Sequence, residues 1–266
     1  MKNKELFLAL LSIPGFGNMS RNRIIDICGD IESVFTLSDS EILKRASSFD
    51  KKRPIAKERM TAFLEFRKAS AWKDSVNALV KECKEKGITI ITRDDPDYPN
   101  RLKGLDAAPV VLFAKGKLKI NQFGKATGII GAKDFTSDEE KEAVNLSKKE
   151  SKSESAIISG LSKGIDAVTN TTALSSKGYM IAVSGAGADK LPSPDLESLY
   201  ESIAQNGCIL SEDLPGTPIR RYSLIHRNRL IAALSDELFI IDAQRSSLTA
   251  STVEACVRLG KNFTMV

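Results

Sequence analysis

From Gly87 onward, short runs rich in β-branched and other apolar residues alternate with segments of helical texture. The runs fall at 88–92, 110–114, 126–130, 156–159, 180–184, 208–211, 238–242 and 262–266. Helical segments fill 137–149, 166–177, 195–206, 223–234 and 249–260. Apolar runs this short, joined by helices of this length, predict a mostly parallel sheet covered on both faces. The expected fold class is therefore α/β, a Rossmann-like doubly wound domain spanning 87–266.

The first 86 residues read differently. An apolar-rich helix over 5–11 is broken by Ile13-Pro14-Gly15-Phe16-Gly17. Helix resumes over 20–28 with Ile24, Ile25 and Ile27, and Gly29 stops it. Asp39 or Ser40 is expected to cap the next helix. A single long helix is expected over 56–79, with Met60, Phe63, Leu64 and Phe66 on one side. Nothing in this stretch signals a strand, so 1–86 is expected to be a small all-helical domain.

Charge separates the same two parts. Residues 1–86 hold 17 lysines and arginines against 12 acidic residues, and the remainder holds 22 of each, so the net +5 lies in the first third. That excess is compatible with a nucleic-acid partner without requiring one. No run reaches the roughly 18 apolar residues of a membrane span. The four cysteines are far apart, with no CxxC pair, so no zinc site and no disulfide framework are expected. Reduced thiols point to a cytoplasmic protein. The one histidine, His226, leaves no two-histidine mechanism, and neither metal nor cofactor is expected.

In open α/β sheets ligands bind beyond the carboxyl ends of the strands. The run at 126–130 leads into Gly131-Ala132-Lys133, and that at 156–159 into Gly160-Leu161-Ser162-Lys163-Gly164. The run at 180–184 leads into Gly185-Ala186-Gly187. Glycine turns allow close backbone approach, and free N–H groups at helix starts attract anions. One reading makes Ser159 to Gly164 a phosphate cradle with Ser162 or Lys163 adding donors. The other makes it a tight turn, and under both Asp166 is expected to cap the following helix. A second signal is Arg220, Arg221, His226, Arg227, Asn228 and Arg229, four arginines with no acidic residue between Asp213 and Asp236. Guanidinium forks suit phosphate oxygens, and Asn can bond a base edge or a phosphate, whereas a solvated basic face is the alternative. A third is the Gly15–Gly17 hairpin with Arg21 and Arg23 behind it, either a phosphate contact or a plain helix–helix turn.

Seven stretches in order carry a resemblance: DDPDYPNRLKGLDAAPVVLFAKG (94–116), IIGAKDFTS (129–137), IISGLSKGID (157–166), YMIAVSGAGAD (179–189), GCILSEDLPGTPI (207–219), RNRLIAALSDELFIIDA (227–243) and SSLTA (246–250). Together they resemble the DNA-processing protein A family, also called DprA or Smf. The hairpin near residue 15 is similar to that family's N-terminal SAM-like or helix-hairpin-helix module. The resemblance implies a Rossmann-like domain that binds single-stranded DNA without turnover. It also implies a homodimer that protects single strands and loads a RecA-type recombinase onto incoming DNA in natural transformation. The family's DNA-contacting motifs correspond here to Lys133, to Ser159, Gly160, Lys163 and Gly164, and to Arg227, Asn228 and Arg229.

The match has departures. Gly131-Ala132-Lys133 stands for Gly-Ser-Arg, which loses a hydroxyl and an arginine fork but keeps the charge. Ser162-Lys163 stands for Ala-Arg, and Asn170 lies near the place of a family histidine. Gln244-Arg245-Ser246-Ser247-Leu248-Thr249 lacks the usual glycine, and the family's C-terminal winged-helix-like domain is expected to be absent. Aromatic residues are 6% of the chain, so charge is expected to outweigh stacking in any DNA contact. Two other readings use the same fold: a nucleotide-binding sensor, and a nucleoside-monophosphate-cleaving enzyme with Glu212 as its general acid–base. The latter family's Pro-Gly-Gly-x-Gly-Thr signature has only a partial echo in Leu214-Pro215-Gly216-Thr217.

Overall fold

The computed structural model describes residues 2–49, 54–69, 71–242 and 247–266. The chain divides into two compact units. One comprises Met1–Glu85 with Thr92–Asp94 and Asp106–Val111, and the other comprises Lys86–Ile91, Asp95–Leu105 and Leu112–Val266.

The first unit is built from α1 (Lys2–Leu11), α2 (Asn18–Cys28), α3 (Ile31–Thr36), α4 (Asp39–Ser48), α5 (Lys57–Lys68) and α6 (Trp72–Glu85). Phe7, Leu8, Leu10, Ile24, Ile31 and Phe63 form its buried core. Gly29 ends α2 at φ +102°, a conformation glycine adopts without a Cβ clash. Three local expectations change. The helix expected over 56–79 is two helices, because the chain is extended at Ala69 (φ −71°, ψ 140°). Its two halves bury separate faces, Met60 and Phe63 in α5, Val76 and Cys83 in α6. The six-residue α3 was not expected, and Asp30 starts it by accepting the Ser33 amide. The cap of α4 is Ser38, ahead of both expected positions, Asp39 and Ser40, and it accepts from Glu41 N. Arg21 turns back onto α1, donating to the Leu10 and Leu11 carbonyls, and so closes the C-terminal end of that helix.

The second unit holds an eight-stranded sheet: β1 (Ile88–Thr92), β2 (Val111–Gly116), β3 (Ala126–Gly131), β4 (Ala156–Gly160), β5 (Met180–Val183), β6 (Cys208–Ser211), β7 (Glu237–Ile241) and β8 (Asn262–Met265). Strand order is β1-β2-β6-β5-β4-β3-β7-β8. The strands from β6 across to β8 pair in parallel, and β2 pairs antiparallel with β6. After β3 the chain builds outward first through β4, β5 and β6, then through β7 and β8 on the other side, so β3 marks the switch point of a doubly wound fold.

Every residue of β4, β5 and β6 is buried, as a sheet covered on both faces requires. The cover comes from α7 (Ser137–Lys152), α8 (Ile165–Ser175), α9 (Glu197–Asn206), α10 (Arg221–Leu234) and α11 (Ser247–Leu259). Helix α8 packs on α7 and α9, and α10 packs on α11. A capping box starts α7: Thr136 accepts the Glu139 amide, and Glu139 accepts the Thr136 amide. Residues 243–246, with the first half of the segment expected to lack the family glycine, lie outside the described residues.

Candidate nucleic-acid interface

Strands β5, β4 and β3 are neighbours, so the turns that follow them lie side by side at one edge of the sheet. The turns after β3 and β4 touch: Ile165 N donates to Ala132 O at 3.0 Å. Gly164 is required there. It sits at φ +88°, and a Cβ on it would lie 2.3 Å from Ala132 O and 2.5 Å from Lys133 Cα. Lys133 and Lys163 are thereby presented, exposed, on adjacent turns. Lys133 makes no ion pair among the described residues, and Lys163 makes an exposed one with Asp195.

Behind this edge lies a buried ionic centre. Arg227, 7% exposed, donates from Nη1 to Val183 O at 2.7 Å. Its Nη2 donates to Ser162 Oγ at 3.0 Å and to Asp166 Oδ2 at 3.2 Å. One guanidinium thus joins the end of β5, the β4 turn, α8 and α10. Burial pushes the Asp166 carboxyl up, while Arg227 and the Ser162 hydroxyl favour its charged form. Asp166 is therefore not the cap that the sequence suggested. The cap position of α8 is Gly164, with no side-chain bond, and the Asp166 carboxylate turns inward because Arg227 is there to be neutralised.

Gly160 leaves the room for this pair: a Cβ on it would fall 2.0 Å from Arg227 Nη1 and 2.1 Å from Asp166 Oδ2. Asn170, one helical turn beyond Asp166, is fully buried and donates to Gly160 O at 2.9 Å. Sequence reading gave Asp166 only a cap and Asn170 no role in the site. Their signal was polar side chains at 166, 169 and 170 sharing the buried face of α8 with Ile165 and Ala173.

The remaining expected contacts separate into interior and exterior groups. Ser159 is buried and donates to Ile129 O at 2.7 Å. Asn228 is buried and donates to Ser251 Oγ at 2.8 Å, tying α10 to α11. Arg229 is half-buried and paired with Glu212, which also lies 3.1 Å from His226 Nδ1. Gly185 and Gly187 are buried: Gly185 lets the first turn of α10 approach, and Gly187 lets Leu214 O approach. Gly131 abuts Ile241 O of β7. The arginines unbalanced along the sequence are thus partly balanced in space, Arg227 by Asp166 and Arg229 by Glu212.

Outside stand Lys133, Lys163, Arg220, Arg221 and His226. Arg220 and Arg221 open α10, whose first turn has no acidic residue and whose start has no side-chain cap. Two cations beside the positive end of a helix dipole favour an anionic ligand. Burial opposes ionisation of Glu212, but His226 and Arg229 outweigh it and hold its carboxyl below the ordinary range. That environment suits a fixed counter-charge and is opposite to what a general acid near neutral pH needs. Among the described residues no group of three or more His, Cys, Asp or Glu side chains is placed to hold a metal. No helix among them is long and apolar enough to cross a membrane.

A doubly wound sheet of this strand order defines a Rossmann-like protein, here with exposed cations at its carboxyl edge. The sequence profile of the DNA recombination-mediator protein A family matches residues 89–266, and the chain belongs to that family. Protein Smf of Synechocystis is 34% identical over 171 residues, 63% of this chain and 43% of that protein. DNA processing protein DprA of Bacillus subtilis is 28% identical over 178 residues, 67% of this chain and 60% of that one. The chain thus spans about half the length of these relatives. The X-ray structure of DprA from Streptococcus pneumoniae shares the fold, with a TM-score of 0.80 at 22% identity over 98% of this chain and 86% of that one. DNA processing protein A from Helicobacter pylori, whose structure was determined for its single-stranded DNA binding mode, superposes with a TM-score of 0.61 at 25% identity. That match covers 68% of this chain and 81% of the other.

Proposed function

We propose that this chain binds single-stranded DNA along the carboxyl edge of its sheet and performs no turnover on it. One observation carries the reading: Lys133, Lys163, Arg220 and Arg221 are all exposed at the strand-end edge of a domain that belongs to this family. The single-strand binding of the Helicobacter pylori relative supports it. Direct phosphate contacts fall to these four residues, with Gly164 shaping the turn between the lysines. Ser159, Gly160, Ser162, Arg227, Asn228 and Arg229 act behind them and hold the edge in shape.

By the same family reading, residues 1–86 form a helix-hairpin-helix-like accessory domain and 87–266 the DNA-processing domain. The protein then works in the cytoplasm as a homodimer, protects incoming strands during transformation and hands them to a RecA-type recombinase.

Fluorescence anisotropy with a labelled oligonucleotide at low salt tests the binding step. The expected outcome is measurable affinity that falls severalfold in Lys133→Ala and Arg221→Ala for all base sequences alike. No affinity for any single strand would overturn the reading. Release of free base from nucleoside monophosphates would favour the hydrolase instead.

A further inference from the structure

A composition of 6% aromatic residues argues against base stacking, but the structure concentrates the exposed rings. Among the described residues, only two exposed large hydrophobic side chains are aromatic, Phe135 at 37% and Tyr222 at 66%. Both belong to the carboxyl edge of the sheet. Phe135 lies in the β3–α7 turn, two residues after Lys133 and immediately before the Thr136 cap. Tyr222 lies in the first turn of α10, which covers Gly185 at the end of β5. Neither ring stacks on another ring among the described residues. Each lies within two residues of exposed cations along the chain, Lys133 for one and Arg220 and Arg221 for the other, with the exposed Asp134 between Lys133 and Phe135.

Single exposed apolar residues need no explanation. Two exposed rings, both on the edge that carries the exposed cations, are a different observation. A cation beside an open aromatic face is the local composition that holds a strand by phosphate and base together. Bases in a duplex are paired inward and cannot lie flat on a protein ring, whereas those of a single strand can.

We propose that Phe135 and Tyr222 are base-stacking platforms, and that they, rather than the cations, make this edge select single strands over duplex. The proposal rests on the single-strand reading above and deepens it. The occupant is an unpaired base, argued from the cations beside each ring that would hold its phosphate.

The test compares three ligands of equal length at one salt concentration: oligothymidine, an abasic sugar–phosphate strand and a duplex. The native chain is expected to bind oligothymidine at least tenfold more tightly than the abasic strand. Phe135→Ala and Tyr222→Ala are each expected to lose about tenfold on oligothymidine and nothing on the abasic strand. Phe135→Tyr and Tyr222→Phe, which keep a stacking face, are expected to bind as the native chain does. Equal binding of base-bearing and abasic strands overturns the stacking proposal while leaving strand binding intact. Equal losses on both ligands in the alanine variants, as from a damaged fold, also overturn it. No binding to any ligand overturns the single-strand reading and the stacking proposal with it.

Discussion

Arg227 is the residue on which the functional edge turns. In the sequence it is one of four arginines in a basic run, and its charge and local surroundings do not set it apart from Arg221 six positions earlier. In the fold it is buried against a carboxylate 61 residues away, while Arg221 is exposed. Removing one member of a buried ion pair leaves the other without compensation, a loss of about 3–5 kcal/mol. Arg227→Ala is therefore expected to lower unfolding stability by about that amount in urea denaturation. Arg221→Ala is expected to change it by less than about 0.5 kcal/mol. Equal stabilities for the two variants would refute the assigned roles. Asp166 shows the same limit of sequence reading from the other side. An aspartate at a helix start is ordinarily a cap, and only the arrival of Arg227 from α10 turns its carboxylate inward.

At the scale of elements, the strands were legible because burial on both faces demands continuous short apolar runs, and these stand out against the polar turns. Cys208–Ser211 and Ile88–Thr92 coincide with the expected runs. The helices were legible wherever local chemistry bounds them. Helix α7 is the clear case, with Thr136 and Glu139 closing a reciprocal cap. Thr136→Ala is expected to destabilise the domain by about 1 kcal/mol, read as a lower urea midpoint with an unchanged slope. The break between α5 and α6 was not legible. Neither proline nor glycine marks Ala69, and the chain bends there so that two faces can reach separate parts of the core.

For the whole molecule, the relevant quantity is the set of cations exposed where a polyanion can reach them. Charge in the second part of the chain balances to zero, so net charge alone does not point there. The fold changes this by withdrawing Arg227 and Arg229 into shielded ion pairs and displaying Lys133, Lys163, Arg220 and Arg221 at one edge, Lys163 in an exposed pair with Asp195. If all four meet phosphates, the logarithm of the binding constant should fall with that of salt at a slope of about −3, each contact adding about 0.7. Replacing Lys133 or Arg221 by alanine should make the slope shallower by about 0.7. A slope unchanged by these substitutions would place the phosphates elsewhere.

The sequence by itself determined the alternation of strands and helices, the glycine turns at the strand ends and the family resemblance that the profile over 89–266 bears out. These are local properties, set by periodicity, backbone freedom and short motifs. Only the tertiary structure decided which members of the basic run face solvent, that Asp166 is a counter-ion, and that Phe135 and Tyr222 share an edge with the exposed cations. Those facts depend on which distant segments the sheet brings together. A charge buried beside its partner and a charge left in water look the same along a chain.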